Sequence, residues 1–228
     1  MVLPAGRLDP PRSLFYTSAM ATTYTQVAGR SLERIAALSD GVFAFAMTLI
    51  VLDIRIPELA LIHSENDLIA ALISLAPRMV TYLMSFLTLG IFWVGQQVQL
   101  SHLEKSDRHL TWLHLLYLAF VAMIPLSTRL LAGFIGYRTA LLIYWANLLL
   151  LGIVVYACWA YACKAKLVKK EARKGDYLLL QRRILTAQAF YAFGAALCFF
   201  DPAWSIGFIV LIQLNYAAAP RIPFLSKL

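Results

Sequence analysis

The stretch RIAALSDGVFAFAMTLIVL, Arg34 to Leu52, decides the fold. From Ile35 to Leu52 the only charged residue is Asp40. These eighteen residues, at about 1.5 Å rise each, cover roughly 27 Å, close to the hydrocarbon thickness of a bilayer. On insertion scales a carboxylate in such a segment costs about 2.5–3.5 kcal/mol near the centre and less towards an end. It belongs against protein or water rather than lipid, so Asp40 is a candidate functional or assembly residue.

The rest of the chain extends this reading. Of its 228 residues 61% are hydrophobic and 14% charged, and the mean hydropathy is +0.72. A soluble domain is nearer 45–50% apolar and about 25% charged. The composition is that of an integral membrane protein with several spans and no room for a separate soluble domain. The formal charge of +8 does not indicate nucleic acid, because the basic residues cluster in loops beside apolar spans, as the positive-inside rule requires. Cys158, Cys163 and Cys198 fall in predicted spans without metal-site spacing and read as reduced packing residues. Residues 1–30, with Pro4, Pro10 and Pro11 and no apolar signal-peptide core, are expected to be a disordered cytoplasmic segment, and Met20 is a candidate alternative start.

Hydropathy predicts an all-α protein with six spans over residues 31–220, followed by a cytoplasmic tail over 221–228. The first span runs about Arg34–Ile56 and ends at Pro57. Leu68–Ala76 is too short to cross and reads as a half-helix or interfacial piece. The second span is about Pro77–Leu100, and the third about His109–Leu131 with a kink at Pro125. The fourth is about Arg138–Cys163, the fifth about Arg183–Phe200 and the sixth about Ala203–Ala219. An even number of spans puts 16 of the 20 Lys and Arg residues on the side of the termini, which is therefore expected to be cytoplasmic. No internal repeat is evident, which argues against an inverted-repeat transporter in one chain.

On a helical wheel Leu38, Gly41, Thr48, Leu49, Leu52 and Arg34 all fall within about 60° of Phe45, whereas Asp40 lies about 140° away. Asp40 is thus expected to face another helix of its own subunit, leaving the Phe45 stripe free. Two readings of that stripe stand side by side. It is ordinary helix packing with Asp40 a buried structural group, or it lines a central axis surrounded by copies of the helix. In the second case Phe45, Leu49 and Leu52 form a hydrophobic constriction and Thr48 a ring of hydroxyls able to meet a partly dehydrated cation.

Arg34-x-x-x-Leu38-Ser39-Asp40 resembles the Arg-x-x-x-Phe-Ser-Asp signature that opens the first helix of the transmembrane protein 175 family. The similarity continues through Gly41, Val42, Thr48, Val51 and Leu52. It extends to Tyr82, Ser85, Phe86, Phe92 and Trp93 in the second span, and to Leu113–Pro125, Ser127 and Thr128 in the third. It covers about Arg34–Thr128; beyond that the match is mainly topological. The resemblance implies a homotetrameric potassium-selective channel, related to single-repeat prokaryotic members, lined by the first helix and lacking a carbonyl filter. It implies a bottleneck at Phe45, further apolar layers at Leu49 and Leu52, and a selectivity-linked hydroxyl at Thr48. The expected location is the prokaryotic plasma membrane.

The chain departs from the family pattern in three places. Leu38 replaces the motif phenylalanine. Phe45 stands where isoleucine or leucine is usual. Gln96 and Gln97 stand where a His-His pair is frequent, with His114 in place of an asparagine. The last set implies a rewired polar network in which Arg34, Ser39 and Asp40 engage Trp93, Gln96, Gln97 or His114.

Other signals are weaker. Gly133–Tyr137 looks like the glycine-tyrosine end of a carbonyl filter but lies in a turn too short for a re-entrant loop. The four histidines share no ligand spacing. Lys164–Lys174 with Arg182 and Arg183 reads either as a topology determinant or as a site for anionic headgroups. Asp53 is a candidate ring at the outer mouth or a solvated helix end. No paired carboxylates, metal set or activated nucleophile points to an enzyme, and no cofactor is expected beyond permeant potassium. The expected partners are further copies of the chain and membrane lipids. The alternative function is a proton channel or proton-coupled secondary transporter, since Asp40 and His114 are residue types able to carry a proton.

Overall fold

The computed structural model describes residues 32–52, 54, 62–169 and 174–218, with side chains from 178 to 217 in the last segment. The expectations for the N-terminal segment, Asp53, Pro57 and the C-terminal tail lie outside the described residues.

Helix α1, Leu32–Leu52, is 21 residues long and carries Glu33 in its first turn, where a carboxylate complements the helix dipole. It buries Ile35, Ser39, Phe43, Ala46 and Ile50 along one face. The short apolar piece is a ten-residue helix, α2, Glu65–Ser74, which begins before the predicted Leu68. Ser64 caps it by accepting the Asp67 N–H, and the Asp67 carboxylate accepts the His63 N–H, a reciprocal cap that fixes the start. None of its residues is buried.

Helix α3, Ala76–Ser101, starts with proline in its first turn, where the missing N–H has no intrahelical partner to lose. The third span is two helices, α4 (Arg108–Ala122) and α5 (Ile124–Gly133), broken at Met123. Pro125 opens α5, and its ring and missing N–H interrupt the ladder there. Asp107 caps α4 by accepting the Leu110 N–H at 2.8 Å.

Helix α6, Arg138–Lys164, is the central post, burying Leu141, Tyr144, Leu148, Leu151, Val155 and Trp159 and packing against α4, α5 and α7. Helix α7, Lys174–Ala196, continues through a 3-10 turn, Leu197–Phe199. Helix α8, Pro202–Ala218, returns along α7 and α3. The predicted fifth span began at Arg183. The helix begins nine residues earlier, because leucine, glutamine and arginine sustain a helix that a hydropathy threshold cuts short.

Four helical segments among the described residues are long and apolar enough to cross a membrane: α1, α3, α4–α5 together, and α6. Helix α8 is apolar but shorter. The end of the bundle carrying the 102–107 and 165–169 turns is tied by a two-residue antiparallel bridge, Leu103 with Val168. The Glu104 N–H donates to the Leu167 carbonyl at 2.9 Å, and the Tyr161 hydroxyl donates to Asp107 Oδ2 at 2.6 Å.

Candidate functional site

The buried face of α1 lies against α3, α4 and α5. Phe43 meets Tyr117 of α4 in a tilted ring contact at 6.1 Å, and the Tyr117 hydroxyl in turn donates to the Phe92 carbonyl of α3. On this side Ser39 is fully buried and its Oγ accepts Gln96 Nε2 at 2.9 Å. One residue further on, Asp40 Oδ1 accepts two donors, Trp93 Nε1 and Gln97 Nε2, each at 2.8 Å. The first helix is therefore held by two consecutive polar residues gripped from α3. Hydrogen bonds to a charged acceptor are shorter and stronger than neutral ones, so the carboxylate is the firmer half of the grip.

Two residues expected in this network stand apart from it. The His114 ring bonds back to its own helix, Nδ1 to the Leu110 carbonyl at 2.9 Å, so it does not reach Asp40. A ring nitrogen facing a carbonyl must carry the proton, which leaves Nε2 an acceptor; that atom is buried and without a partner. Arg34 is exposed and pairs with no carboxylate among the described residues. The cause is angular: six residues separate it from Asp40, about 120° around the helix, so the two point to different sides.

The opposite face of α1 is uncovered in the single chain. Phe45 is 65% exposed, Leu52 74% and Leu38 48%. Gly41 and Thr48 are exposed with them, and Leu49 is half-buried. The Thr48 hydroxyl donates to the Phe45 carbonyl one turn earlier at 2.8 Å. Its proton is thus committed to the helix, and the oxygen lone pairs are what the exposed face presents. The helix so divides into a gripped polar back and a bare, mainly apolar front interrupted by one hydroxyl.

A second polar assembly, which the sequence reading missed, lies deep in the bundle. Thr128 donates to Ser85 at 2.7 Å, Ser85 donates to Tyr144 at 3.3 Å, Tyr144 and Thr88 share a hydrogen bond at 3.0 Å, and Gln213 Nε2 donates to Thr88 at 2.7 Å. This chain of neutral groups links α5, α3, α6 and α8. Its one sequence signal is the spacing of Thr81, Ser85 and Thr88, which puts three hydroxyls on one stripe of α3.

A bundle of long apolar helices, one of them gripped from behind and bare in front, is the architecture of a helical integral membrane protein. Comparison with known proteins is more specific. Residues 34–125 match the family described as endosomal/lysosomal potassium channel TMEM175. A potassium channel of Chamaesiphon minutus is 29% identical over 188 residues, which is 81% of this chain and 92% of the relative. A potassium channel of Streptomyces collinus is 40% identical over 102 residues, 45% of this chain and 48% of the relative. The human endosomal/lysosomal proton channel TMEM175 is 36% identical over 109 residues, 46% of this chain and 22% of the relative. The crystal structure of a lysosomal potassium-selective channel TMEM175 homolog from Chamaesiphon minutus superimposes with a TM-score of 0.72. It is 26% identical, and the match covers 83% of this chain and 98% of that one. By these matches residues 34–125 are similar to the TMEM175 family of ion channels, and most of the chain is similar in sequence and fold to a bacterial potassium channel.

Proposed function

We propose that the chain is a potassium-permeable cation channel that assembles as a homotetramer of six-span subunits, with α1 of each subunit lining the pore. The observation that carries this reading is the division of α1. Its back is fixed to α3 through Ser39 and Asp40, and its front leaves Phe45 and Leu52 bare. An isolated span exposes apolar side chains to lipid as a matter of course, but lipid gives no reason for Asp40, itself exposed, to be met by two donors from α3. Holding the back fixes the rotation of the helix, and a fixed rotation is what a pore wall needs. The names of the bacterial relatives and of the matching crystal structure supply the ion.

In this reading Phe45, Leu49 and Leu52 form apolar layers that oppose hydrated ions when the pore is narrow. Thr48 sits between them and offers acceptor oxygens to a cation that has lost part of its water. Arg34 lies on the same front, at the end the basic residues assign to the cytoplasm, and the location is the plasma membrane of a prokaryote.

The test is potassium efflux from proteoliposomes holding wild type or Phe45→Ala, with sodium and proton gradients as controls. The expected result is potassium efflux that rises on truncating Phe45. Silence of both proteins as intact oligomers would remove the channel reading. A second reading, proton permeation, is favoured by the printed name of the vertebrate relatives and by the buried, unpartnered Nε2 of His114. It predicts flux that follows the proton gradient and falls in His114→Phe.

A further inference from the structure

Behind the pore helix, in the half of the bundle carrying the 102–107 turn, lies a cavity of about 520 Å³ between α3, α6, α7 and α8. That volume is within the range of about 300–1,000 Å³ usual for small-molecule sites. Its walls are mainly apolar, including Val94, Val98, Ile184 and Tyr191. Its polar lining residues include Arg183 and Gln188. Arg183 of α7 lies on its wall, exposed and without a carboxylate partner among the described residues. Gln188, five residues further along α7, also lines the cavity; its Nε2 donates to the Leu148 carbonyl of α6, and its Oε1 is buried and accepts no hydrogen bond.

The cavity also reaches the site described above. Trp93 lines it and donates its indole N–H to Asp40 on the pore helix. Gly95, four residues before the end of the cavity's α3 wall at Gln99, keeps the space open: a Cβ built on it meets nothing within 4 Å.

We propose that this cavity binds one anionic phospholipid of the cytoplasmic leaflet, its phosphate on Arg183 and one acyl chain along Val94 and Gly95 against Trp93. Charge complementarity selects the occupant. Among the described residues the one ionic group of the lining is a guanidinium, which matches a phosphodiester in a bidentate fashion. The neighbouring turn supplies Lys164, Lys166 and Lys169, all on the side where the excess of basic residues lies. Basic pockets between transmembrane helices on that side suit anionic headgroups. The occupant presses on the residue that grips Asp40, so its presence bears on the rotation of α1. That last step rests on the channel reading; binding does not.

Two measurements test the site. Native mass spectrometry of the detergent-purified protein, given equal phosphatidylglycerol and phosphatidylcholine, reads binding directly. Wild type is expected to retain phosphatidylglycerol preferentially. Arg183→Gln is expected to bind it about fivefold more weakly, the effect of one basic residue on an anionic lipid. Gly95→Leu, which fills the cavity from an open position, is expected to lose both lipids. Equal retention of the two lipids by wild type, unchanged binding in both variants, or dissociation of the oligomer in Gly95→Leu (the cavity then being a seat for a second copy) would each overturn the proposal. Potassium efflux from phosphatidylcholine vesicles, with and without phosphatidylglycerol, reads the coupling, and wild-type efflux is expected to depend on phosphatidylglycerol where that of Arg183→Gln does not. Absence of flux in every protein would count against the channel reading, while the mass spectra would still decide the lipid site.

Discussion

Trp93 and Asp40 meet across 2.8 Å, indole N–H to carboxylate, and through that bond the second span sets the rotation of the first. Gln97, one turn along α3, donates to the same oxygen at 2.8 Å. The second donor ties the exposed carboxylate to α3 at two points.

Removing the acceptor should therefore destabilise the subunit more than weakening it. In Asp40→Ala both Trp93 and Gln97 lose their partner. Interhelical hydrogen bonds in membranes average about 0.6 kcal/mol each and reach roughly 1–2 kcal/mol. A loss of about 1–2 kcal/mol corresponds to a fall of roughly 2–8 °C in Tm for a chain of this size. Asp40→Asn keeps one acceptor oxygen and should lose less than half as much. Thermal unfolding of the detergent-purified oligomer measures the order; equal stability of wild type and Asp40→Ala would remove the structural role.

At the proposed pore face the expectation is reversed: function should change while stability does not. Thr48 is exposed and bonds only to its own helix, at the Phe45 carbonyl. Thr48→Val keeps the shape and removes the oxygen, so Tm should stay within the effect of a surface substitution, about 0.5 kcal/mol. The preference for potassium over sodium, read from reversal potentials in bilayers, should fall severalfold, and Thr48→Ser should restore it. A selectivity untouched by valine would take Thr48 out of the ion path.

The sequence made the division of α1 legible because a 3.6-residue period fixes which residues share a face once a helix is granted. It placed Asp40 away from Phe45 before any coordinate was known, and the apolar runs marked α3, the kinked third span and α6. What it did not disclose depends on contacts far apart along the chain. Gln213 reaches Thr88 over 125 residues, and Thr128 reaches Ser85 over 43. His114 was assigned to Asp40 by type; its ring instead satisfies the carbonyl four residues back, a local option open to any helical histidine. The start of α2 was missed for the opposite reason, since Ser64 and Asp67 spell a reciprocal cap that hydropathy ignores.

That cap gives a pH prediction. The Ser64 side chain, and then the His63 N–H, hold the Asp67 carboxyl below its ordinary value of 3.8. A carboxylate depressed in the folded state contributes above its unfolded pKa, and the contribution is lost as pH falls through the lower folded value. The cap should hence persist to acidities where a free aspartate is half protonated, near pH 4. Carboxyl carbon chemical shifts of Asp67 against pH check this: a midpoint under 3.8 is expected, and one at or above it in wild type, or no rise in Ser64→Ala, would contradict it.

The buried hydroxyl chain supplies the sharpest stability contrast. Thr88 stands at its centre. It donates to the Met84 carbonyl at 2.8 Å, shares a bond with the Tyr144 hydroxyl and accepts Gln213 Nε2. Gln213 is fully buried and its Oε1 already lacks a partner. Thr88→Val preserves volume but removes the acceptor that Gln213 Nε2 reaches at 2.7 Å. Tyr191 is then the remaining side-chain partner of that amide, and a buried hydrogen bond lost on one side costs about 1–3 kcal/mol. Tyr144→Phe removes one hydroxyl while Thr88 keeps its bonds to Met84 and Gln213, and Ser85 still accepts from Thr128. Its loss should be nearer the average of about 0.6 kcal/mol. Combining Thr88→Val with Gln213→Leu should recover part of the stability lost by Thr88→Val alone, since an apolar pair of similar shape leaves no stranded amide. Tm values of the four proteins close the cycle. A double variant less stable than the sum of the two singles would mean that this chain is held by something other than satisfaction of its donors.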